Sequence, residues 1–223
     1  MKKFIWPESP VQKAFPVAKD GYCIIFAAVF TTLVFALLNL VFPALLFLAL
    51  TFFICFFFRD PDRLVPTADN AIVSPADGKV VSAENLAVNR FFEEPCLKIS
   101  VFMSLFNVHV NRIPYEGIVR NINYFPGKFF SANLDKASKE NEHNAVFLET
   151  EEGKKICFVQ IAGLIARRII CKVQEDEAVT RGQRFGMICF GSRLDLYLPA
   201  DTKLNVSVGD RVTAGSSIVG YLS

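Results

Sequence analysis

The chain contains 223 residues, of which 52% are apolar and 21% are charged. This length suits one ordinary domain with an appendage and excludes two large domains. The formal net charge of +2 comes from the lysine-rich stretch before Arg59, and beyond that residue the basic and acidic side chains balance. Nucleic-acid binding requires a basic surface, so the composition predicts no nucleic-acid partner.

Residues 21–58 carry no charged side chain and form the first predicted element. As a single helix, rising about 1.5 Å per residue, they would extend far beyond a hydrocarbon core of about 30 Å. Asn39 and Pro43 offer a break, since proline cannot donate its backbone N–H and disfavours helix in the residue before it. The pattern therefore predicts a hairpin of two short helices, 22–38 and 44–58. Each is near the lower limit for spanning a bilayer, so both full crossing and partial entry stay open.

The charges that flank this apolar segment predict its orientation. Lysines lie in residues 1–20, Arg59 and Arg63 follow the hairpin, and the turn between the helices is uncharged. The positive-inside rule then places residues 1–20 and the body in the cytoplasm, with the hairpin anchored in the cell (inner) membrane. A cleaved signal peptide would have a shorter apolar region followed by small residues. A buried helical hairpin of a soluble protein is the remaining alternative.

Residues 59–223 are predicted to form one mainly β domain, a barrel or sandwich of many short strands. The expected strands are 71–74, 79–82, 96–103, 117–119, 145–150, 155–162, 193–198 and 217–222. Short helices are expected only at 131–141 and 162–168. The chain has no glycine-rich nucleotide-binding motif, which argues against an α/β nucleotide-binding domain.

The six cysteines show neither a Cys-x-x-Cys pair nor a zinc-ligand spacing with His109 and His143. They therefore predict no metal site and no disulfide framework. A reduced cytosolic body is the simpler interpretation.

Two segments place polar residues in apolar surroundings. Residues 74–78 read Ser-Pro-Ala-Asp-Gly directly after a strand. They could be an ordinary hairpin turn with an Asx hydrogen bond, or could hold Asp77 at the strand end for chemistry. In residues 104–112, His109 lies among alternating apolar residues and could equally be a satisfied core histidine. Neither segment is decisive alone.

A third segment, residues 184–193, contains the Gly191-Ser192 step at the entrance to an alternating strand. Such a step can be a bulge or a tight turn. It also permits a reaction, because glycine has no Cβ and its carbonyl can be approached closely. A serine hydroxyl next to that carbonyl can attack it and convert the amide into an ester. Elimination and hydrolysis would then leave a pyruvoyl group at a new N-terminus.

Three motifs follow one another behind the N-terminal hydrophobic hairpin: residues 74–78, 106–112 (Phe-Asn-Val-His-Val-Asn-Arg) and 190–193 (Phe-Gly-Ser-Arg). In this order they resemble the motifs of the short form of the phosphatidylserine decarboxylase proenzymes. Residues 163–169 and 182–188 match as well, so the resemblance covers the chain from about Arg59 to its C-terminus. Each motif is modest, but the ordered set is specific.

The resemblance implies a self-cleaving enzyme that converts phosphatidylserine in the membrane into phosphatidylethanolamine and CO2. The family's cleavage position falls between Gly191 and Ser192. Cleavage there gives a β chain (residues 1–191) and an α chain (residues 192–223), which form a heterodimer. Ser192 would become a covalent pyruvoyl cofactor, whose Schiff base with the substrate amine accepts the electrons released by decarboxylation. A higher homo-oligomer stays open.

The resemblance also assigns roles to two other residues. Asp77 and His109 match the family's catalytic aspartate and one of its histidines. His109 would act as general base on Ser192 during maturation and as proton donor during turnover, with Asp77 orienting it.

Three positions depart from the family pattern. Longer members carry a second histidine where this chain has Arg112, so the assignment of each proton transfer stays open. Short relatives tend to have arginine where this chain has His143, which we interpret as a surface or pocket-rim residue. They tend to have a basic residue at Cys189, which we interpret as structural.

Residues 207–220 support an interpretation of another class. They resemble the half-motif of lipoyl or biotinyl carrier-like β domains, which also occur in membrane-anchored adaptor proteins of export systems. The alternative function is therefore a non-catalytic, membrane-anchored β adaptor. Against it, no modifiable lysine stands in a suitable context at a hairpin tip. A purified decarboxylase would contain two chains and an adaptor one.

Overall fold

The computed structural model describes residues 16–130, 140–163, 168–189 and 192–223. The described chain divides into two compact units, one ending at Asp62 and the other running from Arg63 to Ser223. The short helices expected at 131–141 and 162–168 lie mainly outside the described residues.

The first unit is a helical hairpin. Helix α1 spans Tyr22–Leu37 and helix α2 spans Val41–Phe57. The connection turns at Asn39, which adopts a left-handed conformation with φ 56°, a conformation that asparagine tolerates better than most residues. Pro43 was expected to separate the two helices, but it does not. It lies inside the first turn of α2, where helical N–H groups have no intrahelical partner and proline costs little.

The two helices pack antiparallel. The hydroxyls of Thr32 and Thr51 lie 3.2 Å apart, and the rings of Phe35 and Phe47 lie 5.2 Å apart nearer the turn. The segment Lys19–Leu37 is long and apolar enough to cross a membrane, whereas α2 falls just short of that length. Only 11% of the apolar window in the first helix is buried, so the hairpin presents most of its apolar side chains outward.

The second unit is mainly β, as the sequence predicts. Its described residues form the strands β1 Ala71–Val73, β2 Gly78–Leu86, β3 Cys96–Met103, β4 Val110–Arg112, β5 Gly117–Phe125, β6 His143–Glu149, β7 Lys155–Ala162, β8 Ile169–Cys171, β9 Ala178–Val179, β10 Arg184–Ile188, β11 Ser192–Pro199, β12 Lys203–Leu204, β13 Arg211–Val212 and β14 Ile218–Tyr221. The strands expected at 96–103 and 155–162 have the predicted bounds, and both are long apolar runs between turn residues.

These strands form three sheets. The largest has eight strands in the order β13-β2-β3-β11-β7-β6-β5-β9, and two three-stranded sheets have the orders β4-β10-β8 and β1-β14-β12. Every pairing in the large sheet is antiparallel. Strand β11, which begins the proposed α chain, lies near the middle of this sheet between β3 and β7.

The main core lies on one face of the large sheet, called here the inner face. Side chains alternate along a strand, so Leu194 and Leu196 of β11 enter this core while Arg193 and Asp195 lie on the other face. The sheet that contains β10 covers the inner face, where the ring of Phe185 packs 4.8 Å from that of Phe158 on β7, centroid to centroid.

The residues that precede β1 are attached to the body. Arg63 Nη2 lies 2.9 Å from Asp77 Oδ2, and Ser216 Oγ donates to the carbonyl of Leu64 at 2.9 Å. Arg181 Nη1 donates to the carbonyls of Ala68 and Ala71. The start of the second unit is therefore fastened along the body rather than serving as a free linker.

We predict that Arg63→Met lowers the free energy of unfolding by about 1–2 kcal/mol, because it leaves the largely buried Asp77 carboxylate without its cation. Thermal or denaturant unfolding of the full-length protein in detergent measures this loss. Arg211→Met, which changes an exposed arginine on β13, is the matched control and should change stability by less than about 0.5 kcal/mol. Equal losses in the two variants would contradict a stabilising role for the Arg63–Asp77 pair.

Candidate active site

The predicted motifs meet at one end of the large sheet. Ser192 begins β11 and pairs with Met103 at the end of β3 and with Ala162 at the end of β7. Strand β2 pairs with the far side of β3 and begins at Gly78, directly after Asp77. Neighbouring strands lie about 4.8 Å apart, so the start of β2 is about 10 Å from Ser192.

Ser192 is fully buried. It has the same alternation as Leu194 and therefore lies on the inner face, as do Met103 and Ala162, which belong to the main core. Within the described part of the chain, Ser192 Oγ has no hydrogen-bond partner. Leaving a buried hydroxyl unpaired costs free energy, and that cost suggests a chemical role for Ser192. The other half of the expected cleavage site, Gly191, lies outside the described residues.

His109 is also fully buried. It directly precedes β4, and its carbonyl accepts a hydrogen bond from the Ile188 N–H at 3.4 Å. Ile188 ends β10, the strand that leads toward Ser192 in the chain. The structure therefore places the His109 backbone beside the end of β10, the strand that precedes Ser192 in the chain.

Asp77 has partners other than the one expected. Its Oδ1 accepts a hydrogen bond from the Ala214 N–H at 2.7 Å, and its Oδ2 pairs with Arg63. These contacts join the carboxylate to the C-terminal segment and to the residues before β1. Asp77 therefore holds the C-terminal segment, and its action on His109 stays a prediction.

The turn at residues 74–78 is not a hairpin, because β1 and β2 belong to different sheets. Ser74 exchanges backbone hydrogen bonds with Ser217 and Gly215, at 2.8 Å each, and Pro75 O accepts from the Arg112 N–H at 2.9 Å. The turn thus joins the C-terminal segment to the motif that contains His109. Arg112, at the position of the family's second histidine, donates from Nη1 to the carbonyl of Gly182 at 3.0 Å.

A chain of buried amides near Ser192 was missed by the sequence analysis. Asn144 Nδ2 donates to Gln160 Oε1 at 3.3 Å, and Gln160 Nε2 donates to Asn111 Oδ1 at 3.0 Å. Asn111 Nδ2 then points to Met103 Sδ at 3.7 Å. All three amide residues are buried. The available signal was a glutamine at an inward position of β7, whose residues after Lys155 are otherwise apolar.

The other face of β11 carries a buried ion pair that the sequence analysis also missed. Arg193 Nε lies 2.6 Å from Asp195 Oδ1, and Arg193 Nη2 donates to Ser100 Oγ at 2.8 Å. The alternation of polar and apolar residues suggests a solvated face. Instead, Phe91 from the β2–β3 connection packs there, with its ring 4.9 Å from that of Tyr197.

His143 is buried, with 4% exposure, so its interpretation as a surface or rim residue is wrong. Its Nδ1 lies 2.6 Å from the Asn141 carbonyl, and its ring stacks on Phe125 with centroids 4.6 Å apart. Burial lowers the pKa of His143, which favours a neutral ring that donates from Nδ1. Protonation is then easier in the unfolded state. His143 therefore lowers the free energy of unfolding as the pH falls below the ordinary pKa of histidine.

The structure also places Cys189 and tests for clusters of side chains that could bind a metal ion. Cys189 is buried and forms no disulfide within the described residues, and its backbone N–H donates to the Arg168 carbonyl at 3.2 Å. In the ranges that the structure describes, no three His, Cys, Asp or Glu side chains are grouped so that they could hold a metal ion.

Comparison with known proteins identifies the family. The family model described as phosphatidylserine decarboxylase matches residues 50–220. A protein of Syntrophus aciditrophicus named phosphatidylserine decarboxylase proenzyme is 51% identical over 92% of this chain and 96% of its own length. A protein of the same name from Desulfotalea psychrophila is 49% identical over 95% of this chain and 99% of its own length. The chain therefore belongs to the phosphatidylserine decarboxylase family.

Proposed function

We propose that the protein cleaves itself between Gly191 and Ser192, converts Ser192 into a pyruvoyl group, and decarboxylates phosphatidylserine to phosphatidylethanolamine and CO2. The observation that carries this proposal is the buried Ser192 hydroxyl, which has no hydrogen-bond partner in the described residues, at the position of the family's cleavage site. The relatives' name, a proenzyme, supports a precursor that is cleaved. No observation favours the adaptor alternative.

The maturation reaction balances with this chain's own groups and one water. Ser192 Oγ bonds to the Gly191 carbonyl carbon, and the peptide C–N bond breaks, which leaves an ester and a free Ser192 amine. Loss of the Cα proton breaks the Cβ–Oγ bond and releases the Gly191 carboxylate. Water then replaces the amine, which leaves as ammonia. The resulting carbonyl supplies an electrophile for the substrate amine and accepts the electron pair released with CO2.

His109 and Asp77 have different roles in this proposal. His109 lies beside the segment that leads to Ser192, so it is the candidate to accept the Oγ proton and later to return a proton to the substrate carbon. Asp77 is a positioning residue. It acts through its hydrogen bond to Ala214, which holds the proposed α chain against the turn at residues 74–78.

The sheet order supports two chains that remain together after cleavage. Residues 192–223 contribute β11, which pairs with β3 and β7, and β14, which pairs with β1 and β12. Both strands therefore have partners on each side. Backbone hydrogen bonds and apolar burial would hold the α chain in place once the peptide bond is broken, as a heterodimer requires.

Exposed aromatic residues support a lipid substrate. Phe106 follows β3 and is 69% exposed, and Tyr124 and Phe125 at the end of β5 are 57% and 39% exposed. All three lie at the end of the large sheet where Ser192 lies, since Phe125 pairs with His143 at the start of β6. Aromatic side chains favour the membrane–water interface. With the exposed apolar hairpin, they support attachment to the inner membrane, and the basic residues that flank the hairpin support a body on the cytoplasmic side.

We expect Ser192→Ala to remain a single chain without decarboxylase activity, because the attacking hydroxyl is gone. Ser192→Cys keeps a nucleophile and should cleave slowly through a thioester. Intact mass spectrometry measures both outcomes. It should also show the wild-type fragment of residues 192–223 with a pyruvoyl group that reacts with hydrazines. Two chains from Ser192→Ala, or a free serine amine on the wild-type fragment, would overturn the proposed mechanism.

Asp77→Asn should slow maturation strongly, because the neutral amide accepts a weaker hydrogen bond from the Ala214 N–H and loses the ion pair with Arg63. If Asp77 acts by position alone, Arg63→Met should slow cleavage in the same direction. If instead it acts on the base, Asp77→Asn should be far slower than Arg63→Met. A time course of chain cleavage separates these cases, and normal processing of Asp77→Asn would reduce Asp77 to a turn residue.

Deleting residues 1–58 should release a body that stays in solution without detergent and still cleaves itself, because the hairpin supplies location rather than catalytic groups. Deleting residues 1–66 is the matched comparison, since it also removes Arg63 and Leu64 and should lower thermal stability. Sedimentation, electrophoresis and thermal unfolding measure these outcomes. A folded but uncleaved product of the shorter deletion would show that the hairpin shapes the site.

A further inference from the structure

Within the residues that the structure describes, two buried polar groups near the start of β11 have no strong hydrogen-bond partner. Ser192 Oγ is one of them. The other is the Asn111 side-chain amide nitrogen, whose acceptor in the structure is the thioether sulfur of Met103 at 3.7 Å. A thioether is a weak acceptor. Both Asn111 and Ser192 are fully buried, so neither group can turn to bulk water for a better partner.

The orientation of the Asn111 amide is fixed by its neighbour. Gln160 Nε2 donates to Asn111 Oδ1 at 3.0 Å, and a nitrogen in that position would face another donor. The oxygen of Asn111 therefore points to Gln160, and its NH2 group points to Met103. Asn144 holds Gln160 in turn by donating to its Oε1. The amide chain thus aims a hydrogen-bond donor at one chosen side chain.

That side chain is the direct neighbour of Ser192. Met103 pairs with Ser192 across the sheet, and both side chains lie on the inner face. Side chains paired in this way have Cβ atoms about 4.5–5.5 Å apart. Methionine is unbranched and flexible, so its thioether can move aside. The Met103 side chain therefore lies between the Asn111 NH2 group and the Ser192 hydroxyl, and its movement would let the two groups meet.

We propose that the Asn111 amide donates a hydrogen bond to the oxyanion that forms when Ser192 attacks the preceding carbonyl. This inference rests on the proposed self-cleavage. By covalent geometry, the carbonyl oxygen before Ser192 lies within about 3 Å of the Ser192 Cα. The oxygen takes the negative charge as Oγ adds to the carbon, and it returns the electron pair when the C–N bond breaks. Gln160 and Asn144 are positioning residues that aim the donor.

A donor reserved for the transition state explains the observed geometry. Catalysis improves only through interactions that are stronger in the transition state than in the ground state. A thioether holds the amide weakly in the precursor, so little is lost when the oxyanion takes its place. A preorganised donor in a dry site can contribute a large share of a rate enhancement.

The test measures cleavage of freshly synthesised full-length precursor over time by electrophoresis. Asn111→Leu should slow cleavage by about 10²–10³-fold, as expected for loss of one oxyanion donor. Thr202→Val is the matched control, since it likewise replaces a buried polar side chain by an apolar one of similar size, but in the turn that follows the opposite end of β11. It should slow cleavage by less than about tenfold. Equal effects of the two variants would overturn the proposal.

A second pair of variants keeps the test valid if Asn111→Leu fails to fold. Asn111→Thr and Asn111→Val have the same shape, but only threonine retains a donor. The Asn111→Thr variant should therefore cleave at least about tenfold faster than the Asn111→Val variant, and the two should have similar thermal unfolding. Equal cleavage rates for this pair would contradict the role of Asn111 as a donor.

Hydroxylamine identifies the step, because it cleaves an ester that has already formed. If Asn111 acts on the attack of Ser192, hydroxylamine should not restore cleavage of Asn111→Leu. Rapid cleavage by hydroxylamine would show that the ester forms without Asn111 and would overturn the proposal. Failure of the wild-type chain to cleave would refute the proposed function itself, which is a separate outcome.

Discussion

The register of β11 between β3 and β7 is the constraint on which the site depends. Ser192 is the first residue of that strand and pairs with the last residue of each neighbour. A shift of one residue would turn every side chain of β11 to the opposite face. Ser192 would then leave the inner face, and Leu194 would exchange places with Arg193. The apolar residues of β11 therefore place the Ser192 hydroxyl on the inner face, although they have no role in the proposed chemistry.

The two faces of β11 differ in how their buried polar groups are paired. On one face, Arg193 is fully paired with Asp195 and Ser100. Removing one partner of such a pair would leave an uncompensated charge, so the pair resists a change of register. On the inner face, the polar groups of Ser192 and Asn111 have weak partners or none in the described residues. One face thus fixes the position of the strand, and the other holds the polar groups that the proposed reaction uses.

Much of the fold could be predicted from local sequence. The hairpin, the mainly β body and the bounds of β3 and β7 follow from apolar runs bounded by turn residues. The features that could not be predicted share a physical cause, since they concern contacts between residues distant in sequence. Asp77 binds Ala214, and His143 is enclosed by Phe125 from a neighbouring strand. Tertiary packing also buries Arg193, whose alternating pattern alone suggests exposure. No local pattern encodes such contacts.

The proposed site could be located from motifs but not assembled from them. The Gly191-Ser192 step and the ordered motifs mark Ser192 and His109 in the sequence, whereas the roles of Asn111 and Gln160 depend on partners that only the fold reveals. Gln160 stands on β7 and Asn111 on β4, in different sheets, so only the packing of the small sheet on the large one brings them together. The hydrogen bond between them crosses that sheet interface. The packing that builds the core thus also orients the Asn111 amide toward Met103, the neighbour of Ser192. For this reason, we expect substitutions at this end of the sheet to change the stability of the core and the rate of the proposed self-cleavage together.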